Sequence, residues 1–382
     1  MSPAEVLKDL CQRYWSFQCE ETPLFAFFAG VALAHDDLMR DAPADHERRA
    51  EAARAMLQEL AAIPIAALGV QDRATHALLG RELSNLVRLV AVRGHLRPTI
   101  FPAGAEFTVM VWANALTLKT RDEARAFVRR LRKVGPALEG VPASQQAGVQ
   151  EGISYPRMAV ERASAVVMAL ADQPAKESPF YGPMVRAGSR FDTEAQEAER
   201  VVASEVQPAL QAYAEFLRDG LGAVARDGVG VTEDLAGSEY YAALVEAYTS
   251  LEEPADAIHD LGLREVARLT AEMKTVATAA GFEGDLEGYR RRIMSDNSLI
   301  ARSPEALCEQ LEVLHKRIDG RIPEFFGRTP RTTHGARSIP EALSDAQPPA
   351  YAQPNPADNS AAGVHWGWAP RRLLSSPGYG RW

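Results

Sequence analysis

Cysteine is scarce in this sequence, since the 382 residues include only 3. Two of them, Cys11 and Cys19, lie eight positions apart in a predicted helix. That separation along the helix axis is too long for an unstrained disulfide. A chain without a disulfide framework is typical of a reducing compartment. We therefore expect a cytoplasmic protein.

Long apolar runs and an excess of basic residues are also missing. The most apolar early stretch, Pro23–Leu33, is well short of the ~20 residues that a membrane-spanning helix needs, and no basic start precedes an apolar run. The net charge is −9, with 42 Lys and Arg against 51 Asp and Glu, which is the wrong sign for binding a phosphate backbone. We expect no membrane span, no signal peptide and no nucleic acid partner.

The sequence contains no complete catalytic motif. A helical zinc peptidase requires His-Glu-x-x-His, because this spacing on a helix directs two imidazoles at one metal ion. The nearest string, His46-Glu47-Arg48-Arg49-Ala50, has alanine in place of the second ligand and is interpreted as the solvated start of a helix. Glycine motifs for phosphate or dinucleotide binding are missing as well. The residues alone therefore predict no catalytic residue, no metal ligand and no cofactor.

Two histidines follow an acidic residue at the spacing found in di-iron helix bundles. Glu312-Val313-Leu314-His315 has the Glu-x-x-His pattern, and Asp256-Ala257-Ile258-His259 is a weaker variant. A di-iron site requires two such motifs and two further Glu residues. Both strings lie on predicted helices with many charged residues, so we interpret both histidines as solvent-facing.

Helical periodicity is what the sequence does contain. Apolar residues recur every three or four positions, which predicts an all-α, mainly helical scaffold with a short extended segment near the carboxyl terminus. Pro64 and Gly94 predict helix ends, and Pro208 predicts a kink in a long helix. The predicted helices are 44–63, 72–94, 121–135, 156–171, 192–217, 258–280 and 304–318.

The carboxyl-terminal part of the chain has a different character. Pro348–Pro356 contains four prolines, and residues 364–382 have neither a helical nor a strand period. We expect extended chain there, followed by a disordered tail. This pattern predicts a helical domain at 1–345 and a Pro-rich extended, then disordered, segment at 346–382.

Three tyrosines lie close together at helical spacing. Tyr241 and Tyr248 are two turns apart and share one helix face, and Tyr240 directly precedes the first of them. The rings either pack in a core or direct a hydroxyl into a substrate channel. The residues alone leave both alternatives open.

An ordered series of short motifs resembles the bacterial family called domain of unknown function 885, over roughly residues 5–363. The most specific of these motifs are Gly237-Ser238-Glu239-Tyr240-Tyr241, Ile258-His259-Asp260-Leu261-Gly262-Leu263, Ser303-Pro304-Glu305 and Ile339-Pro340-Glu341. The resemblance implies a scaffold similar to helical zinc metallopeptidases of the gluzincin type, which cleave peptide or amide bonds. From the family-like segments, the candidate substrate-channel residues are Tyr241, Tyr248, Arg157, Glu161 and Tyr351.

The resemblance also implies that the zinc-binding segment of the family is missing from this sequence. In full-length members, a stretch similar to Tyr351, Pro354, Asp358 and Gly363 is followed by a zinc segment of the His-Glu-x-x-x-x-His-His type. Here the sequence departs from the family at His365 and has the composition of out-of-frame translation. We hypothesise a truncated member that keeps the helical substrate-channel half, holds no cofactor and is inactive alone, whereas zinc is expected in full-length relatives.

The alternative is a non-catalytic helical scaffold that binds peptides or a partner protein. In either case peptides are the expected ligands. Apolar surface left exposed on such a helical half would favour self-association, because large exposed apolar patches promote contact between copies.

Overall fold

The computed structural model is mainly helical, with short strands near the carboxyl terminus, which confirms the predicted fold class. It describes residues 1–31, 36–100, 104–296, 298, 301–327, 332–339, 350–353, 355 and 362–367. The chain forms two compact units, Met1–Glu252 (unit 1) and Glu253–Trp382 (unit 2). None of the described helices is long and apolar enough to cross a membrane.

Unit 1 is built from helices and short 3-10 turns. Ser2 with Glu5, and Thr120 with Glu123, form capping boxes that satisfy backbone N–H groups at two helix starts. The predicted helices at 44–63, 72–94 and 156–171 are confirmed within a few residues. In chain order the helices are Pro3–Glu21 (α1), Pro23–Phe28 (α2), Pro43–Ala61 (α3), Val70–Ala91 (α4), Ala105–Ala115 (α5), Arg121–Leu131 (α6), Val134–Gln150 (α7), Arg157–Ala171 (α8), Gly182–Ala187 (α9), Asp192–Val201 (α10), Gln207–Glu215 (α11) and Gly237–Thr249 (α12).

The predicted helix end at Gly135-Pro136 is wrong. Helix α6 ends earlier, at Leu131, and Gly135 and Pro136 lie in the first turn of α7. Proline is tolerated there because the N–H groups of a first turn have no intrahelical partner. The dipeptide therefore accompanies the start of a second helix.

The chain remains helical from Asp192 to Leu221 but contains two π-helical segments. Wider, π-helical turns at Val202–Val206 and Phe216–Leu221 flank α11. The first of them directly precedes Pro208, whose ring nitrogen cannot donate to the preceding turn. The irregularity thus lies where the sequence predicted a kink.

An apolar cluster joins α1, α3 and α4 and fixes the position of α4. Leu10 and Leu83 are fully buried in it, and each buried leucine contributes roughly 1.5–3 kcal/mol. Helix α12 is held to α4 by polar contacts, since Arg88 pairs with Glu246 and Arg81 donates to the Ala247 carbonyl. The buried members of the cluster are Leu7, Leu10, Ala53, Leu60, Ile63, Leu68, Leu79 and Leu83.

Unit 2 combines helices with a small sheet. Its elements are Ala255–Ala279 (α13), Leu286–Ser295 (α14), Pro304–Asp319 (α15), Ile322–Phe325 (α16), His334–Ser338 (β1), Ala350–Gln353 (β2) and Gly363–Gly367 (β3). The strand order is β1-β3-β2, with β3 parallel to β1 and antiparallel to β2. Helix α15 begins at the predicted cap, where the Ser303 hydroxyl accepts from the Ala306 N–H, and it packs against β1.

The prediction of a helical domain at 1–345 followed by a Pro-rich segment at 346–382 remains a prediction. The boundary between the two compact units lies at 252/253 in the sequence. The expectation of a disordered tail is wrong for residues 364–367, because they belong to the central strand β3, where backbone pairing on both sides orders a segment without an apolar period. Ala350–Gln353 is extended, as expected for the Pro-rich stretch. The prolines of that stretch and residues 368–382 lie outside the described residues.

Candidate functional site

A cavity of about 470 Å³ lies in unit 1. It is walled by α4, α5, α12, the start of α3 and the segment between α4 and α5. Gly94 lets this segment approach closely, because a Cβ there would collide with Leu89 and reach the Tyr240 ring. The side chains that give the cavity its chemistry are Asp41, His46, His95, Arg97, Tyr240 and Tyr248.

Arg97 is the buried cation of the cavity, and its charge is already compensated. Its side chain is 5% exposed, and its Nη1 donates to Asp234 Oδ2 at 2.6 Å. Asp234, 1% exposed, also accepts from Arg226 Nη1 at 3.3 Å. The Arg97 guanidinium carbon lies 5.1 Å from the centroid of the Tyr240 ring. Arg97 therefore orients Tyr240 and presents little uncompensated charge to a ligand.

Asp41, His46 and His95 form a polar wall in which both imidazoles are neutral. His46 Nε2 lies 3.6 Å from Asp41 Oδ1, and the two imidazole centroids are 5.8 Å apart. Burial, supported by the charge of Arg49, lowers the pKa of His46 to about 4. Burial also lowers the pKa of His95. Burial raises the pKa of the Asp41 carboxyl, although the positive charge of Arg49 opposes this increase.

The assignment of the His46-Glu47 string to a solvated helix start is wrong for His46. This residue lies in the first turns of α3, but its side chain is only 18% exposed and lines the cavity. His95 is buried as well, and its Nδ1 has no hydrogen-bond partner among the described residues. An unpartnered buried nitrogen costs free energy, so a ligand that satisfied it would gain affinity.

Glu106 lies in the first turn of α5, next in sequence to Ala105, which lines the cavity, but does not line the cavity itself. It is 4% exposed, and its Oε2 has no hydrogen-bond partner in the described part of the chain. Burial raises the pKa of this carboxyl to about 7, although a backbone hydrogen bond opposes the shift. The Glu106 charge in turn raises the pKa of the buried Tyr213 phenol, after the larger effect of burial. Burial thus makes Glu106 retain its proton to a higher pH than an exposed carboxyl does.

Taken together, the cavity presents neutral hydrogen-bonding groups beside aromatic faces. Its imidazoles are uncharged, the Arg97 guanidinium is paired with Asp234, and the Asp41 carboxyl lies 3.7 Å from the Arg49 guanidinium. Tyr240 and Tyr248 contribute phenol rings. Such a wall suits an uncharged polar ligand with an apolar or aromatic part, because each free donor or acceptor can be matched without burying a new charge.

The structure places one of the two predicted tyrosines on the cavity. Tyr248 lines it at the rim and is 84% exposed, whereas Tyr241 is 45% exposed and does not line it. The cavity face of α12 instead contains Tyr240, Leu244, Ala247 and Tyr248. These positions recur every three to four residues, so Tyr240 takes the place expected for Tyr241.

Two further predicted channel residues, Arg157 and Glu161, do not line this cavity. Arg157 binds Asp227 at 2.9 Å and the Ala225 carbonyl at 2.8 Å, which ties the start of α8 to the segment after Leu221. Glu161 is exposed on α8. Tyr351 belongs to unit 2, where its ring stacks on Trp366 with centroids 6.0 Å apart.

Sequence reasoning missed most of the cavity. Arg97 and its ion-pair partner Asp234 are 137 positions apart and follow no motif, so only the fold reveals their proximity, and no motif marks the nearby His95. Glu106 had a usable signal, since it is the one charged residue in the mainly apolar helix Ala105–Ala115. An isolated acid in such a helix predicts either a buried carboxyl or a functional one.

Comparison with known proteins gives a family and a fold. A family model described as "Bacterial protein of unknown function (DUF885)" matches residues 23–379, a range that includes the segment after Gly363 that we had set apart as a non-family tail. A crystal structure described as "the putative lipoprotein from Colwellia psychrerythraea" superposes with a TM-score of 0.84 at 17% identity, covering 96% of this chain and 67% of that chain. At this identity the likeness shows the shared fold alone. No curated protein matches the chain.

Proposed function

The chain belongs to the bacterial family of unknown function DUF885, and from the geometry of its cavity we propose that unit 1 binds peptides without hydrolysing them. The observation that carries the proposal is the cavity of about 470 Å³ whose polar groups are neutral or already paired. A peptide unit matches this wall, because it is uncharged and offers both a donor and an acceptor. The Tyr248 and Tyr240 rings would pack against an apolar or aromatic side chain of the peptide.

The absence of hydrolysis follows from the chemistry that the sequence lacks. The resemblance to gluzincin-type peptidases leads us to propose that relatives carrying a complete zinc segment cleave peptide or amide bonds, and that this chain corresponds to their helical substrate-channel part. Zinc would supply an activated water and polarise the carbonyl. The cavity does not fit that ion, since the described His, Cys, Asp and Glu residues around it do not gather three donor atoms. The chain also has no His-Glu-x-x-His.

Calorimetric titration of the full chain with acetylated and amidated tetrapeptides tests the proposal, with one aromatic position varied among Phe, Tyr and Ala. Tyr248→Ala is the informative variant, because its ring is exposed at the rim and its removal leaves the core intact. We expect Tyr248→Ala to weaken binding by about 2- to 10-fold, the value of one aromatic contact of 0.5–1.5 kcal/mol. Tyr241→Ala, on the same helix but outside the cavity, is the matched control and leaves the affinity unchanged.

Two outcomes would contradict the proposal. Equal effects of Tyr248→Ala and Tyr241→Ala, or no saturable binding of any peptide, would remove the cavity as a peptide site. Mass spectrometry of the recovered peptides tests the second part, and chelator-sensitive cleavage would replace the binding function by the zinc hydrolase that the resemblance implies. Cytoplasmic localisation remains a prediction, as does binding of peptides rather than nucleic acid.

A further inference from the structure

Three histidines from separate parts of the sequence meet in unit 2. His315 lies on α15, His334 opens β1 and His365 lies in β3. His315 Nε2 is 3.4 Å from His365 Nδ1, and the ring centroids of His315 and His334 are 4.3 Å apart. Each histidine is therefore within contact distance of at least one other.

The sheet register explains why the two strand histidines share a face. In the parallel pair β1–β3, His334 is opposite Gly363 and Ala336 is opposite His365. His334 and His365 are thus two positions apart on neighbouring strands, on the same side of the sheet. Ala352 is opposite His365 on the other neighbouring strand, so small residues flank its imidazole.

Helix α15 covers this same side of the sheet. A Cβ at Gly367 would contact Leu311 and Leu307, and Gly367 shares the face of His365 because they are two positions apart. Leu307, Leu311 and His315 follow at intervals of four, so they form one stripe of the helix. His315 is therefore directed at the two strand histidines, and the expectation that it faces solvent is wrong, since it is only 9% exposed.

The distance of 3.4 Å between His315 Nε2 and His365 Nδ1 is that of a long hydrogen bond, which holds the two rings together in the metal-free chain. It also equals the separation of two ligands on one metal ion. With Zn–N bonds of about 2.0–2.1 Å and tetrahedral angles, two coordinated nitrogens are about 3.4 Å apart. The buried Nδ1 of His315 has no partner in the described part of the chain, so packing alone does not satisfy this ring.

We propose that His315, His334 and His365 bind one divalent transition-metal ion of the zinc, copper and nickel class. Neutral imidazole is the ligand that these ions favour, and three imidazoles leave one position for water. The described side chains do not yet gather three donor atoms around one point, so the His334 ring turns on binding. It can do so because it is exposed and lies on the edge strand β1.

This proposal replaces the expectation from the sequence that the chain holds no metal. The three residues are separated by 19 and 31 positions, and no motif links them. The carboxylates of Glu312 and Asp319 act on His315 by raising its pKa, while burial and the other two histidines lower it more strongly. Their negative charges would also stabilise a bound cation. The site lies in unit 2 and contains none of the residues that line the cavity of unit 1.

Calorimetry of the metal-stripped full chain with zinc chloride tests the site, together with the visible spectrum of its cobalt(II) form. We expect one equivalent of metal and the intense absorption of a four- or five-coordinate cobalt ion. His334→Gln is the first variant, because an exposed strand residue can change without loss of the fold. We expect it to weaken zinc binding by at least about 10-fold, with larger losses for His315→Gln and His365→Gln.

His259→Gln is the matched control, since His259 is exposed on α13 of the same unit and touches none of the three rings. It should leave zinc affinity and the cobalt spectrum unchanged. Circular dichroism of each variant establishes that the fold is retained. The proposal fails if no equivalent of zinc binds, if His334→Gln binds as tightly as the unchanged protein, or if His259→Gln weakens binding equally. A weak six-coordinate cobalt spectrum would also overturn it.

Discussion

Replacement of Glu106 by glutamine should stabilise unit 1 above neutral pH. Glutamine has nearly the same shape but carries no charge, so Glu106→Gln removes only the titration of a buried carboxyl. The acid lies in the first turn of α5, where the helix dipole favours an anion. Burial outweighs that preference and raises its pKa from 4.5 to about 7.

The size of the effect follows from the pKa difference. Between pH 4.5 and 7 the folded protein binds more protons at Glu106 than the unfolded chain does, so stability falls as pH rises through this window. The full loss corresponds to about 3 kcal/mol, at 1.36 kcal/mol per pKa unit. The free energy of unfolding of the Glu106→Gln variant should therefore exceed that of the unchanged protein by about 3 kcal/mol at pH 8, and the two should differ little at pH 4.

His46 provides the opposite slope and therefore an internal control. Its pKa falls from 6.5 in the unfolded chain to about 4 in the folded protein, so the unfolded chain binds more protons in that window and stability rises with pH. In the unchanged protein the two slopes largely cancel. Glu106→Gln should reveal the rise due to His46, and His46→Asn should reveal the fall due to Glu106.

Hydrogen exchange of the α5 amides, corrected for the intrinsic exchange rate at each pH, measures the free energy where Glu106 lies. The difference between Glu106→Gln and the unchanged protein should grow from pH 4.5 to pH 7 and then remain constant. A difference that does not depend on pH would refute the reasoning. It would mean that Glu106 titrates normally and that the substitution acts through packing.

Two further predictions concern a buried ion pair and an exposed helix. Asp234→Asn should lower the free energy of unfolding, measured by urea denaturation, by about 3–5 kcal/mol, because it leaves the Arg97 cation buried and unpaired. Asp227→Asn removes the partner of an exposed ion pair and should lower the free energy of unfolding by at most about 1 kcal/mol. Equal losses would contradict this. Helix α13 leaves six large apolar side chains exposed, so light scattering should detect oligomers. The double variant Leu269→Glu with Met273→Glu should dissociate these oligomers, whereas the control Lys274→Glu should not. A protein that is monomeric at all concentrations would contradict the prediction.

The helical architecture could be predicted because its cause is local. The apolar period places α3, α4 and α8 within a few residues, and the Ser303-Pro304-Glu305 cap marks the start of α15. Strand β3 could not be predicted in the same way. Its order comes from hydrogen bonds to β1 and β2, which lie at least ten residues away in sequence and leave no periodic signal in five residues.

The candidate sites were predictable only where one helix contributes the residues. Helical spacing indicated the tyrosine face of α12 and reached Tyr248, but assigned Tyr241 in place of Tyr240 because the direction of the face was unknown. The partners Arg97 and Asp234 are 137 positions apart, and no local pattern connects them. For the same reason, a surface assignment of His315 from its charged neighbours was wrong.

His95 in the cavity has a buried polar atom that the described parts of the fold do not satisfy. Its Nδ1 forgoes a hydrogen bond, at about 1–3 kcal/mol. An apolar side chain of similar size would fill the position without that loss, so stability alone does not explain the imidazole, whereas a ligand that supplies the missing partner does. In unit 2, His315 contacts both His334 and His365, and the chemistry of each site selects a different ligand. Neutral donors and acceptors around a cavity favour a peptide, whereas converging imidazoles favour a metal ion.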